Sequence, residues 1–195
     1  MQSFLPLLLF TLATSVTPGP NNLMLLASGV NFGLIRTLPH ILGITTGFGS
    51  LLLGIGLGLG ALFTAWPTLH LVLKLLGGCY LLYLAWKIAG SRAIGETKVG
   101  AKPLSFAQAA AFQWVNPKAW VIALTVTSLF ADPERAYFSV LLVALTVIVF
   151  NLPAIVLWTG FGTALRGFLS RPERLKIFNV IMALLLVATL IPMLR

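Results

Sequence analysis

No Asp, Glu, Lys or Arg lies between Thr37 and Leu73, between Ala136 and Leu165, or between Ile177 and Leu194. Each run is close to or beyond the ~20 apolar residues that a helix needs to cross the hydrocarbon of a bilayer. Backbone polar groups find no water there, so such runs survive only as helices that satisfy their own N–H and C=O groups; the short alternating strands of a membrane barrel are missing. A hydrophobic fraction of 58% against a charged fraction of 9% excludes an ordinary soluble domain.

Six spans fit the apolar pattern, roughly 4–28, 38–63, 69–89, 105–130, 137–165 and 175–194. Residues 1–28 lack the positive start of a cleavable signal, because no Lys or Arg precedes Arg36, and are therefore expected to remain as the first span. The connections after the first, third and fifth spans carry Arg36; Lys87, Arg92, Lys98 and Lys102; and Arg166, Arg171, Arg174 and Lys176. The other connections and the tail hold only Lys74, Arg135 and Arg195, which predicts a cytoplasmic location for the basic loops and extracytoplasmic termini. Trp66, Tyr83 and Trp86 fall where interfacial aromatic residues anchor helices. The net charge of +9 does not point to nucleic acid, since the basic residues sit in short loops rather than along one face. The single cysteine, Cys79, excludes an intrachain disulfide and reads as a small packing residue.

One membrane domain is expected over residues 1–195, with a first repeat over about 1–90, a cytoplasmic loop over about 90–103 and a second repeat over about 104–195. Three spans is an odd number, so a tandem pair enters the membrane in opposite directions as an inverted repeat. Two breaks support the pairing: "TPGPNN" interrupts the first span and "NPK" the fourth, each near the middle. Proline removes a helical hydrogen bond, and Thr17 and Asn116 are placed to cap half-helices restarting at Pro18 and Pro117. The fold expected is thus an all-α integral membrane protein of six transmembrane helices in two inverted three-helix repeats, with helices 1 and 4 broken near the midplane. In the second span, Gly43/Gly47, Gly54/Gly58 and Gly56/Gly60 have the spacing that lets helices approach closely.

Half-helix N-termini present unpaired N–H groups and partial positive charge, which suits a carboxylate. Lys118, set between uncharged runs, is costly in hydrocarbon and has no intramembrane acid to pair with, because Glu96, Asp132, Glu134 and Glu173 all fall in loops. Its counter-charge is expected to arrive with a substrate. The expected substrate-binding residues are Thr17, Pro18, Gly19, Pro20, Asn21, Asn22, Gln113, Asn116, Pro117 and Lys118. Among the polar helix positions Thr14, Ser15, Asn21, Asn22, Gln113, Thr125, Asn151 and Asn179, several are expected only to bridge helices, and His40 reads as an interfacial residue. With no nucleophile–base arrangement, phosphate-cradling glycine motif or metal-ligand spacing, no catalytic residue, metal or cofactor is expected.

The stretches "TPGPNNLMLLASGVNFG", "PHILGITTGFG", "LGGCYLLYLAWKI", "WVNPKAWVIAL" and "FNVIMALLLV" resemble the LysE/RhtB family of bacterial amino-acid exporters over nearly the whole chain. The resemblance implies a multi-pass protein of the bacterial inner membrane that exports small amino acids, with protons as the coupling ion. It is nearest the neutral-substrate branch, whose members export cysteine, O-acetylserine, homoserine or threonine. Exporters of lysine or arginine are expected to carry an acid in the second span, where this chain reads Ile44-Thr45-Thr46-Gly47. The partners expected are therefore a small amino acid, protons and the lipid bilayer, with association into a homo-oligomer left open. The alternatives are a passive channel for small solutes and a membrane scaffold that transports nothing.

Overall fold

A computed structural model describes residues 4–65, 67–91 and 102–191. Trp66, Arg92, Glu96, Lys98, Arg195 and most of the expected 90–103 loop lie outside the described residues.

The elements are helical throughout the described residues: α1 Phe4–Val16, α2 Pro20–Phe32, α3 Leu34–Gly54, α4 Gly60–Ala65, α5 Pro67–Ala89, α6 Phe106–Gln113, α7 Pro117–Phe130, α8 Ala136–Leu165 and α9 Pro172–Ala188. Four of them, α2, α5, α7 and α9, begin on proline, whose missing N–H costs nothing in a first turn and whose fixed φ suits it. Helix α6 begins on a reciprocal cap: Gln108 N–H donates to the Ser105 hydroxyl at 3.3 Å and Ser105 N–H to Gln108 Oε1 at 3.0 Å. Only Gly33 separates α2 from α3, at φ +81°, a backbone state in which a Cβ would be strained.

Leu34–Leu59, Leu71–Ala89 and Ala136–Leu165 are each long and apolar enough to cross a membrane by length and composition. Helix α8 shows how the surface is sorted. Leu141, Leu145, Val149, Leu157 and Phe161 form an exposed stripe at four-residue spacing, while Val140, Val143, Ala144, Val147 and Ile155 turn inward. A water-facing protein would place its polar residues on the first face.

Glycine sets the closest helix crossings. A Cβ on Gly29 of α2 would strike the Thr159 carbonyl of α8, and one on Gly162 of α8 would strike the Leu26 carbonyl of α2. Gly43 and Gly47 likewise meet the Phe106 and Ala110 backbone of α6, as their spacing predicts. The remaining pairs of the second span behave differently. Gly56 packs on Val140, but nothing lies within 4 Å of a Cβ on Gly58, whose φ of +113° instead bends the chain within the π-helical turn Ile55–Leu59. Gly58 is thus a backbone requirement and not a packing surface. Cys79 is exposed, which corrects its reading as a packing residue.

Candidate functional site

The first break closes α1 with a bond from Thr17 N–H to the Ala13 carbonyl at 3.2 Å. Thr17 does not cap the next helix, contrary to the sequence reading: its hydroxyl donates back to the Thr14 carbonyl at 2.8 Å. The helix restarts at Pro20 rather than Pro18, with Gly19 as the N-cap in extended conformation at φ −168° and ψ 176°, and no side chain covers this end. The first backbone bond into α2 runs from Leu23 N–H to the Gly19 carbonyl at 3.0 Å, so the N–H groups of Asn21 and Asn22 precede it. The Asn22 side chain reaches backwards instead, donating to the Ser15 carbonyl at 2.8 Å and the Thr17 carbonyl at 3.0 Å.

In the second break the start of the new helix is covered. Asn116 Oδ1 accepts the Lys118 N–H at 3.2 Å, with Pro117 in the first turn, as the Asn-Pro pair predicts. Trp120 donates its indole N–H to the Trp114 carbonyl at 2.8 Å. Both breaks therefore satisfy carbonyls at the end of the first half-helix with a side chain from the second.

Two links join the breaks. Asn21 and Gln113 exchange amide bonds of 2.8 and 3.1 Å, and Gln113, fully buried, also donates to the Ala109 carbonyl at 3.0 Å. Lys118 extends its ammonium to the Thr17 carbonyl and hydroxyl, both at 2.9 Å, at the negative end of α1. Gly19 makes room for it, since a Cβ there would lie 2.8 Å from Lys118 Cδ and 3.0 Å from Nζ. The described acids, Asp132, Glu134 and Glu173, sit at helix ends away from this point, so the ammonium has no carboxylate beside it.

Between the breaks lies a cavity of about 40 Å³, room for about three waters. Gly19, Pro20, Asn21, Asn22, Asn116 and Lys118 line it, together with the apolar side chains Phe48, Ile122 and Ile155. Of the other expected site residues, Thr17 holds the lysine and Gln113 backs Asn21, while Pro18 and Pro117 shape the breaks without lining the cavity. Thr14, Ser15 and Asn151 also line it, although they are not among the expected site residues. No local signature distinguishes these three from other polar residues in apolar helices. His40 is 1% exposed within α3 and its ring nitrogens make no hydrogen bond among the described residues, so the interfacial reading is corrected.

An uncapped helix start, an unneutralised ammonium and a small cavity with apolar walls can together receive the carboxylate of a small zwitterion. The chain is also similar to known proteins. The family model described as "LysE type translocator" matches residues 12–191. A protein of Salmonella paratyphi A named "Cysteine/O-acetylserine efflux protein" is 34% identical over 183 residues, covering 91% of this chain and 90% of that one. A protein of the same name from Escherichia coli K12 is 33% identical over 182 residues, with the same coverage. No solved structure matches the chain.

Proposed function

Since the chain belongs to the LysE type translocator family, we propose that it is a secondary exporter of small neutral amino acids or their derivatives in the bacterial inner membrane. Cysteine, O-acetylserine, homoserine and threonine define the size and polarity of the substrates. The observation that carries this reading is the cavity at the two breaks, lined by the uncapped start of α2 and by Lys118, with no acid beside them among the described residues. An incoming carboxylate supplies the missing negative charge, whereas a lysine or arginine side chain would bring a second cation into a low-dielectric site already holding one. Lys118 has three N–H donors, and its two bonds to Thr17 leave one for the substrate. The names of the relatives support the same class.

The reading includes protons as the coupling ion. Proteoliposomes test both parts: an imposed pH gradient is expected to drive labelled cysteine or homoserine against its concentration gradient, with lysine excluded. Lysine transport at a matching rate, or only downhill movement of the neutral compounds, would overturn it.

Within this proposal the six spans form two inverted repeats whose broken members, α1–α2 and α6–α7, meet at the membrane centre. The crossings favour it: the first broken span lies against α8 of the second half, and the second broken span against α3 of the first. Exchanging the halves exchanges these contacts. The basic loops face the cytoplasm and the termini face outward. A periplasm-dependent reporter is expected to be silent at Gly95 and active at Arg195; the reverse pattern would reject the orientation.

A further inference from the structure

Ser15 and Asn151 line the cavity from opposite halves of the chain, and neither side chain makes a hydrogen bond among the described residues. Ser15 is the sharper case. Its neighbours Thr14 and Thr17 fold their hydroxyls onto helix carbonyls, Thr14 to Phe10 at 2.8 Å and Thr17 to Thr14 at 2.8 Å. Serine in a helix ordinarily does the same, yet Ser15, only 7% exposed and lining the cavity, makes no such bond with its hydroxyl among the described residues. Asn151 stands on α8, the most apolar of the three long spans, where an unsatisfied amide is costly unless something in the cavity bonds to it. Every other polar side chain lining the cavity is engaged: Asn21 with Gln113, Asn22 with α1 carbonyls, Asn116 with the Lys118 N–H, Lys118 with Thr17 and Thr14 with Phe10.

We propose that Ser15 and Asn151 are the specificity-determining pair that reads the substrate side chain, selecting a short uncharged group with a hydrogen-bonding atom, such as a hydroxyl, thiol or ester carbonyl, over an alkyl group of equal size. The inference rests on the carboxylate site of the proposed function. With the carboxylate held at α2 and Lys118, the remaining cavity wall combines the apolar Phe48, Ile122 and Ile155 with these two neutral polar groups. Apolar walls alone discriminate weakly between isosteres. Polar groups left unpaired by the wrong side chain discriminate strongly, because the alkyl analogue removes water without replacing its hydrogen bonds.

L-Homoserine and L-norvaline isolate this effect, since they share carboxylate, ammonium and chain length and differ in a terminal hydroxyl against a methyl. Equilibrium binding to purified wild-type protein is expected to favour homoserine by at least about tenfold. Asn151→Leu should bring the two within about twofold while norvaline binding holds or improves, and Ser15→Ala should reduce the preference by a smaller factor. Equal binding by the wild type, an unchanged ratio in both variants, or an equal loss for both ligands would overturn the specificity pair and leave the carboxylate site standing. Failure of the wild type to bind either ligand would overturn both.

Discussion

The two helix breaks share a construction and differ at one point. Each has a proline in the first turn of its second half-helix, and in each a side chain from that half-helix turns back onto a carbonyl before the break, Asn22 onto Ser15 and Trp120 onto Trp114. The second break then caps its helix with Asn116, whereas the first leaves α2 uncapped at Gly19. The second break supplies the cation, and the first supplies the free N–H groups and the space that the cation occupies. The carboxylate site proposed for them is therefore asymmetric and draws on both breaks.

Gly19→Ala should break the comparison most strongly. Its extended backbone suits any residue, so the substitution adds no backbone strain, but its Cβ would meet Lys118 Cδ at 2.8 Å. The flexible lysine is expected to yield rather than the helix. Substrate affinity should fall by at least about tenfold, or ~1.4 kcal/mol, with the thermal midpoint nearly unchanged. An unaffected affinity would show that the space at Gly19 is incidental.

Asn116→Ala sharpens the comparison from the other side with a smaller effect. Removing the cap is expected to cost about 1 kcal/mol of stability, visible as a lowered unfolding midpoint, because the Lys118 N–H loses its side-chain partner. The second break would then resemble the first in lacking a cap. If the midpoint does not move, the 3.2 Å bond to Asn116 contributes nothing to holding α7.

The difference between the breaks also marks what the sequence could express. Apolar runs mark the long helices, three of them long and apolar enough to cross a membrane, and proline beside asparagine marks the breaks, because both signals are local. The Asn116 cap was legible for the same reason. The role of Gly19 was not, since threonine and glycine are comparable caps by type; in the fold the helix restarts at Pro20, and the Thr17 hydroxyl donates to the Thr14 carbonyl and accepts from the ammonium of Lys118, 101 residues away. The pairing of Asn21 with Gln113 spans 92 residues and follows from the fold rather than from either neighbourhood. Gly58 shows the converse limit, for its spacing matches a packing motif while its φ of +113° shows a bend. Periodicity reports a face and leaves the backbone state unspecified.

The most direct test of the central claim, that both breaks together bind a carboxylate, is the affinity of purified protein for homoserine and for its amide, before and after Lys118→Met. The methionine keeps most of the stem and removes the charge, with insertion unharmed or improved. The wild type is expected to prefer the acid by at least about tenfold, and Lys118→Met to bind acid and amide within about twofold of each other. An undiminished preference for the acid in Lys118→Met would contradict the account.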